Sequence, residues 1–205
     1  MMRHYSLTFF AVILANTVTG HGVITSPPAR VVGDAMKAAC GKQVFNNQKG
    51  DNQGNVQQIL QVGQNQKDFN PATCNAFQCK GYQFADNMAN VQTFTPGQKI
   101  DMTIKIGAPH TGTANVSIVD TKANVIIGEQ LIYFPDYASN SHTIPANNTQ
   151  FSITMPQDLG SKCAQAGDCV IQWFWDAPEA KQTYESCVDF MMGASAKARR
   201  HARQF

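Results

Sequence analysis

The 205-residue sequence has few charged side chains, no C-x-x-C pair and, after its first 20 residues, no apolar run long enough to cross a membrane. Only 15% of the residues are charged and the formal net charge is +2. Neither nucleic acid nor an anionic membrane is therefore an expected partner. The missing C-x-x-C spacing argues against a cysteine zinc cluster. No pair of carboxylates stands out as the acid and base of a hydrolase.

The first 20 residues have the layout of a secretory signal peptide. A short basic start is followed by an apolar run that is shorter than the roughly 20 residues needed to span a bilayer. Val18 and Gly20 place small residues at the third and first positions before His21. We therefore expect a secreted, extracellular protein that begins at His21, with one domain over residues 21–192 and a basic, flexible tail over 193–205.

The secretory route predicts two kinds of covalent modification. Asn115 and Asn147 begin the tripeptides N-V-S and N-N-T, so they are candidate glycosylation sites. Six cysteines in an oxidising compartment predict three disulfides, for which fifteen pairings are possible. Short spacings favour two local loops, which leaves one long-range bond. The expected disulfides are Cys74–Cys79, Cys163–Cys169 and Cys40–Cys187.

The hydrophobic pattern predicts an all-β protein. Residues 99–108 alternate apolar and polar side chains with the period of two that is typical of a strand. Further short apolar segments bounded by turn residues follow at 114–120, 124–134, 150–156, 169–177 and 184–192. This spacing favours an antiparallel β-sandwich of immunoglobulin or fibronectin III type. Residues 41–98 are rich in Asn, Gln and Gly, and we expect long loops there with short helical turns.

His21, as the expected first residue, offers two nitrogen donors to a single metal ion. Its α-amino group and its ring can close a chelate ring, and both kinds of group lose their proton near neutral pH. A second histidine would complete an all-nitrogen site, which suits one copper ion per chain. His110 is the preferred candidate because it ends a strand pattern before a turn. His142 lies in a polar loop and His201 in the basic tail.

The N-terminal motif resembles a known family. The segment "HGVITSPPAR" (21–30) is similar to the H-G-x-x-x-S-P-x-x-R start of bacterial-type lytic polysaccharide monooxygenases with a chitin-binding type-4 domain. "APHTG" resembles the segment that carries the second copper histidine of these proteins. "QTYESC" (182–187) resembles a stretch found in the fungal, cellulose-active members. "AACGKQVFNNQ" and "CKGYQFADN" are similar to the fungal auxiliary activity family 16. The likeness covers residues 21–190.

The resemblance implies a site and an activity. His21 would bind copper through its amino group and ring, His110 through its ring, and Tyr184 would be a weak axial neighbour. Gln182 would orient the reactive oxygen species. The implied reaction is oxidative cleavage of an insoluble polysaccharide, first cellulose with oxidation at C1 and second chitin. It uses O₂ or H₂O₂ and an external electron donor, and a monomer is the default expectation.

Several aromatic residues are candidates for either the core or a sugar surface. Trp173, Phe174 and Trp175 are consecutive residues of a predicted strand, so their side chains alternate between its two faces, and we expect them mainly in the core. Tyr82, Phe77 and Phe45 are candidates for stacking on sugar rings.

Two histidines also fit other functions. A secreted copper-handling protein without oxygenase activity can carry the same pair, although such proteins commonly place a carboxylate where Gln182 and Tyr184 stand here. A cellulose- or chitin-binding module with incidental copper is a second alternative. A zinc hydrolase is a third, and it would normally need three side-chain ligands.

Overall fold

The computed structural model describes residues 21–159 and 161–193, whose strands form two packed sheets. The expected signal peptide, the tail from residue 194 and His201 lie outside the described residues. The strands are β1 His21–Ser26, β2 Gln92–Phe94, β3 Lys99–Ala108, β4 Gly112–Asp120, β5 Val125–Ile126, β6 Ile132–Tyr137, β7 Gln150–Thr154, β8 Cys169–Ala177 and β9 Gln182–Met192. Within the described ranges, no helix has the length and apolar character needed to cross a membrane.

The predicted β-sandwich is confirmed. One sheet has the strand order β1-β3-β7 and the other β2-β9-β8-β4-β5, with β6 also paired to β4. Strand pairs are antiparallel except β2 with β9. The predicted strands at 99–108 and 169–177 match β3 and β8 at both ends, because alternation along a strand is a local property of the sequence.

The core between the sheets is rich in aromatic side chains. Trp173 and Trp175 are fully buried, as expected from their positions on one face of β8. Tyr137 makes ring contacts with both of them. Tyr184, on the neighbouring strand β9, stacks on Trp175 with ring centroids 4.3 Å apart. These rings form a rigid base under the N-terminal strand.

Residues 34–63 contain more helix than the sequence indicated. The helices are α1 Asp34–Cys40, α2 Lys42–Gly50 and α3 Val56–Gly63, and they have a small hydrophobic core of their own. The side chain of Asn55 accepts a hydrogen bond from the Gln58 N–H at 2.9 Å and caps α3. Asparagine is one of the residues preferred at this capping position, so the start of α3 can be recognised in the sequence. Short 3₁₀ turns lie at Cys79–Gly81, Phe84–Asp86, Met88–Asn90, Ala146–Asn148 and Pro178–Ala180.

Two of the three expected disulfides are wrong. Cys163–Cys169 is confirmed, but the expected Cys40–Cys187 and Cys74–Cys79 are replaced. Loop-closure entropy rises only slowly with loop length, by about 0.6 kcal/mol per doubling, so short spacing is a weak guide. The packing of α1 and of the 79–81 turn decides the pairing instead. The observed bonds are Cys40–Cys74, Cys79–Cys187 and Cys163–Cys169.

The two candidate glycosylation sites lie in different surroundings. Asn115 is half-buried in β4 between β6 and β8, and its side-chain oxygen accepts a hydrogen bond from the buried Ser117 hydroxyl at 2.9 Å. Asn147 is exposed in a 3₁₀ turn. A glycan therefore has room at Asn147, whereas at Asn115 the sheet surrounds the side chain.

Candidate metal centre

The pairing of β1 with β3 brings the two predicted ligands to one end of a sheet. His21 pairs with Ala108, the last residue of β3, and His110 follows two residues later. A Cβ built on Gly107 would lie 3.2 Å from the Cβ of His21, so the histidine side chain packs directly beside β3. His110 is thus at the strand-to-loop exit that the sequence predicted, and it is half-buried.

Residues 51–54 connect α2 to α3 and support the N-terminal strand, and we call them the supporting loop. The Asp51 carboxylate lies 2.9 Å from Nε2 of His21, and the Gln53 carbonyl accepts the Gly22 N–H at 3.0 Å. An ionised carboxylate only accepts hydrogen bonds, so in the neutral tautomer that fits this contact Nε2 is the donor. The other ring nitrogen, Nδ1, keeps its lone pair for a metal.

The close packing of β1 against two tryptophans explains why a glycine, Gly22, follows His21. The residue is buried, and a Cβ added to it would lie 2.7 Å from the Trp173 ring and 3.3 Å from the Trp175 ring. β1 can approach the tryptophans this closely only because Gly22 has no side chain. Farther along β1, the Ile24 N–H donates to the Ser186 hydroxyl of β9 at 3.2 Å.

His110 contributes a ring nitrogen that has no hydrogen-bond partner in the part of the chain that the structure describes. Its Nε2 is buried, and among residues 21–159 and 161–193 no group hydrogen-bonds to it. An unpaired buried polar atom is costly unless a ligand satisfies it. Within the same ranges no three His, Cys, Asp or Glu side chains cluster as a metal site would require. The two rings therefore fit a metal only with a third donor that is not such a side chain, and a free amino group at His21 would supply it.

Tyr184 and Gln182 lie beside this end of the sandwich. Tyr184 is fully buried, and its hydroxyl donates to the side-chain carbonyl oxygen of Gln182. Gln182 is half-buried at the first position of β9. Tyr184 stacks on Trp175, and a Cβ built on Gly22 would lie 3.3 Å from the same Trp175 ring. The structure thus links both residues to the N-terminal strand through packing.

Sequence reasoning missed two buried charges next to the supporting loop. Lys80 is 2% exposed, and its ammonium group donates to the Asn52 carbonyl and lies 3.4 Å from the Gly54 carbonyl. Burial lowers the pKa of Lys80 to about 8, although the carboxylates of Asp51 and Glu185 oppose the shift. Burial also raises the pKa of Glu185 to about 7. Nothing in the sequence distinguishes these two residues from exposed ones.

Arg30, the last residue of the N-terminal motif, forms a buried ion pair with Asp189 of β9. Its guanidinium group donates two hydrogen bonds of 2.7 Å to the Asp189 carboxylate, and both side chains are buried. A third hydrogen bond of 2.8 Å reaches the Tyr82 carbonyl. This bidentate pair attaches the segment after β1 to β9.

Other sequence candidates lie elsewhere. Tyr82 is 4% exposed in the helical core, so its expected role as a sugar-stacking residue is wrong. Phe77 is 46% exposed, and its carbonyl contacts Asn124, which follows the end of β4 that is farther from the two histidines. At roughly 3.3 Å per residue along β4, this places Phe77 about 25 Å from the site. Phe45 is half-buried, with two lysine ammonium groups less than 6 Å from its ring. His142 is exposed and contacts Asp136 at 2.7 Å.

A family model described as lytic polysaccharide mono-oxygenase, cellulose-degrading, matches residues 21–190. The match supports the bacterial-type resemblance rather than the resemblance to the fungal family 16. A comparison with curated proteins finds no match.

Several solved structures are similar to the chain at low identity. A Bacillus amyloliquefaciens CBM33 protein in complex with Cu(I) is 18% identical with a TM-score of 0.35, over 50% of this chain and 56% of its own length. A Jonesia denitrificans lytic polysaccharide monooxygenase is 17% identical with a TM-score of 0.38, over 84% of this chain and 100% of its own. The cellulose-active CelS2 in complex with copper is 15% identical with a TM-score of 0.45, over 85% of this chain and 100% of its own length.

Proposed function

Because the chain belongs to the family of lytic polysaccharide mono-oxygenases, we propose that it cleaves cellulose by oxidation at C1. Members of the family are copper-dependent oxidoreductases that act on insoluble polysaccharides, so the chain is a copper-dependent polysaccharide monooxygenase. Cellulose is the proposed substrate because the description of the matching family names its degradation. Oxidation at C1 keeps the expectation that the sequence resemblance to the fungal family 16 implied, although the family match favours the bacterial type, and product analysis decides between C1 and C4.

The proposed copper ligands are the amino group and Nδ1 of His21 together with Nε2 of His110. Secretion and cleavage before His21 would free the amino group. One observation supports the assignment: His110 has a buried ring nitrogen without a hydrogen-bond partner among the described residues, and it follows two residues after Ala108, with which His21 pairs. Copper is the first-row divalent ion that such nitrogen donors bind most strongly.

Copper, when bound, supplies the one-electron chemistry that O₂ or H₂O₂ and an external electron donor require. The chain contributes orientation. Asp51 fixes the tautomer and rotation of the His21 ring, and the Gln53 carbonyl holds the adjacent Gly22 N–H. The fully buried Tyr184 would limit access to the bound metal from the side of the core.

Gln182 has an orientation that suits the donor role proposed for it. Its side-chain carbonyl oxygen accepts a hydrogen bond from the Tyr184 hydroxyl, so the amide nitrogen is the end that would serve as the donor. A donor held in this way stabilises developing negative charge without reorganising.

The test is product analysis with matched histidine variants. Secreted, copper-loaded protein is incubated with cellulose and, separately, with chitin, with and without ascorbate, and the soluble products are identified by mass spectrometry. We expect C1-oxidised oligosaccharides from cellulose with the wild type and with His142→Ala, whose ring is exposed and pairs with Asp136. His110→Ala should give none, while its copper-free form unfolds at the same temperature as the copper-free wild type.

Two results would contradict the proposal. Equal product yield from His110→Ala, or from a protein with an extra residue before His21, would exclude the proposed ligands. Copper binding without oxidised products from either polysaccharide would favour the copper-handling alternative.

A further inference from the structure

Lys80 lies in a turn that the surrounding structure fixes. Cys79, Lys80 and Gly81 have φ values of 54°, 57° and 72°, all in the left-handed region. Residues with a side chain enter this region at a cost, and they remain there only where neighbouring structure imposes it. The disulfide from Cys79 to Cys187 ties the turn to β9, and the Glu185 carboxylate accepts the Lys80 N–H at 3.3 Å. The turn is thereby anchored to the main sheet.

The Lys80 side chain extends from this anchored turn to the supporting loop. Its ammonium group donates to the Asn52 carbonyl and lies 3.4 Å from that of Gly54, while the Tyr82 ring centroid is 5.2 Å away. A buried ammonium group must find such partners because it has lost those of water. The two carbonyls belong to the residues on either side of Gln53, so a single cation bridges the centre of the loop.

The other two residues of the loop, Asp51 and Gln53, contact the N-terminal strand. Asp51 holds the ring of His21, and the Gln53 carbonyl holds the Gly22 N–H. We propose that Lys80 is a positioning residue for copper: its ammonium group fixes the supporting loop, and the loop fixes the rotation of the His21 ring. The inference rests on the copper site assigned above.

The test compares Lys80→Met with Tyr82→Phe. Lys80→Met keeps an unbranched side chain that matches the methylene part of lysine and removes the ammonium group. Tyr82→Phe removes a buried hydrogen bond of 3.1 Å to Gln48 in the same layer and keeps both the Lys80 ammonium group and the aromatic ring beside it, so it controls for general destabilisation. Copper(II) affinity is measured by calorimetry, and the electron paramagnetic resonance spectrum of the copper-loaded, secreted protein is recorded.

We expect Lys80→Met to weaken copper(II) binding roughly 10–100-fold, the usual range for loss of a group that orients a metal ligand. Its spectrum should show altered or broadened copper hyperfine lines, whereas Tyr82→Phe should match the wild type in both measurements. Combining Lys80→Met with Asp51→Asn should weaken binding no further than Asp51→Asn alone, because both changes act through the same contact. If Lys80→Met does not fold, the neutral Lys80→Gln replaces it, with a loss of roughly tenfold expected.

A folded Lys80 variant with wild-type affinity and spectrum would overturn the proposal, provided that His110→Ala has lost copper binding in the same assay. If His110→Ala binds copper as tightly as the wild type, the copper site itself is wrong and the inference about Lys80 is rejected with it.

Discussion

Replacement of Gly22 by alanine tests whether close packing sets the position of His21. The new Cβ would lie 2.7 Å from a ring carbon of Trp173 and 3.3 Å from the Trp175 ring. Carbon atoms in contact prefer about 3.5–4.0 Å, so the methyl group and the Trp173 ring overlap by about 1 Å.

The rings have little room to yield. Both tryptophans are fully buried, and Trp175 is also stacked on Tyr184 at 4.3 Å. The methyl group is therefore accommodated mainly by a shift of β1 away from the core, and this shift carries His21 with it. Overpacking of this kind costs about 1–3 kcal/mol, which corresponds to a fall in Tm of roughly 2–12 °C for a domain of this size. Copper affinity should fall by about tenfold, as it does when a metal ligand loses its orientation.

The assay compares thermal unfolding of the copper-free protein and copper(II) affinity by calorimetry in Gly22→Ala and Gly50→Ala. Gly50 ends α2 and has no atom within 4 Å of a built Cβ. Gly50→Ala should therefore stay within about 0.5 kcal/mol of the wild type and bind copper equally well. Wild-type Tm and copper affinity in Gly22→Ala would refute the reasoning, since the tryptophan pair would then not determine where His21 lies.

Two further predictions concern the buried charges. Arg30→Met should lower the free energy of unfolding, measured in urea, by about 3–5 kcal/mol, because it leaves the Asp189 carboxylate buried without its partner. The double variant Arg30→Met/Asp189→Leu should recover most of this loss. An equal loss in the single and double variants would contradict the explanation. Glu185 has a folded-state pKa of about 7, above its usual value of 4.5. The contribution of protonated Glu185 to the free energy of unfolding is therefore fully present below pH 4.5 and is lost as the pH rises through 7. Relative to Glu185→Gln, the wild type should lose up to about 3 kcal/mol between pH 4.5 and 7, and parallel pH curves for the two proteins would contradict the shift.

The sequence by itself determined the features that depend on neighbouring residues. Alternation of apolar side chains located β3 and β8, and the N-terminal motif with His110 indicated the family and the candidate ligands. α3 was also accessible, because Asn55 is a typical capping residue before an apolar helix face. α2 was not, since it has few apolar residues and is held by packing against α1 and α3.

Only the tertiary structure decided which distant segments meet. The six cysteines allowed fifteen pairings, and the packing of the helical layer selected Cys40–Cys74 and Cys79–Cys187. The same folding brought Asp51 to His21 and buried Lys80 beside the supporting loop. A charged side chain has the same local pattern whether it is exposed or buried. Its partner is defined by distance in space, which the linear order of residues does not encode.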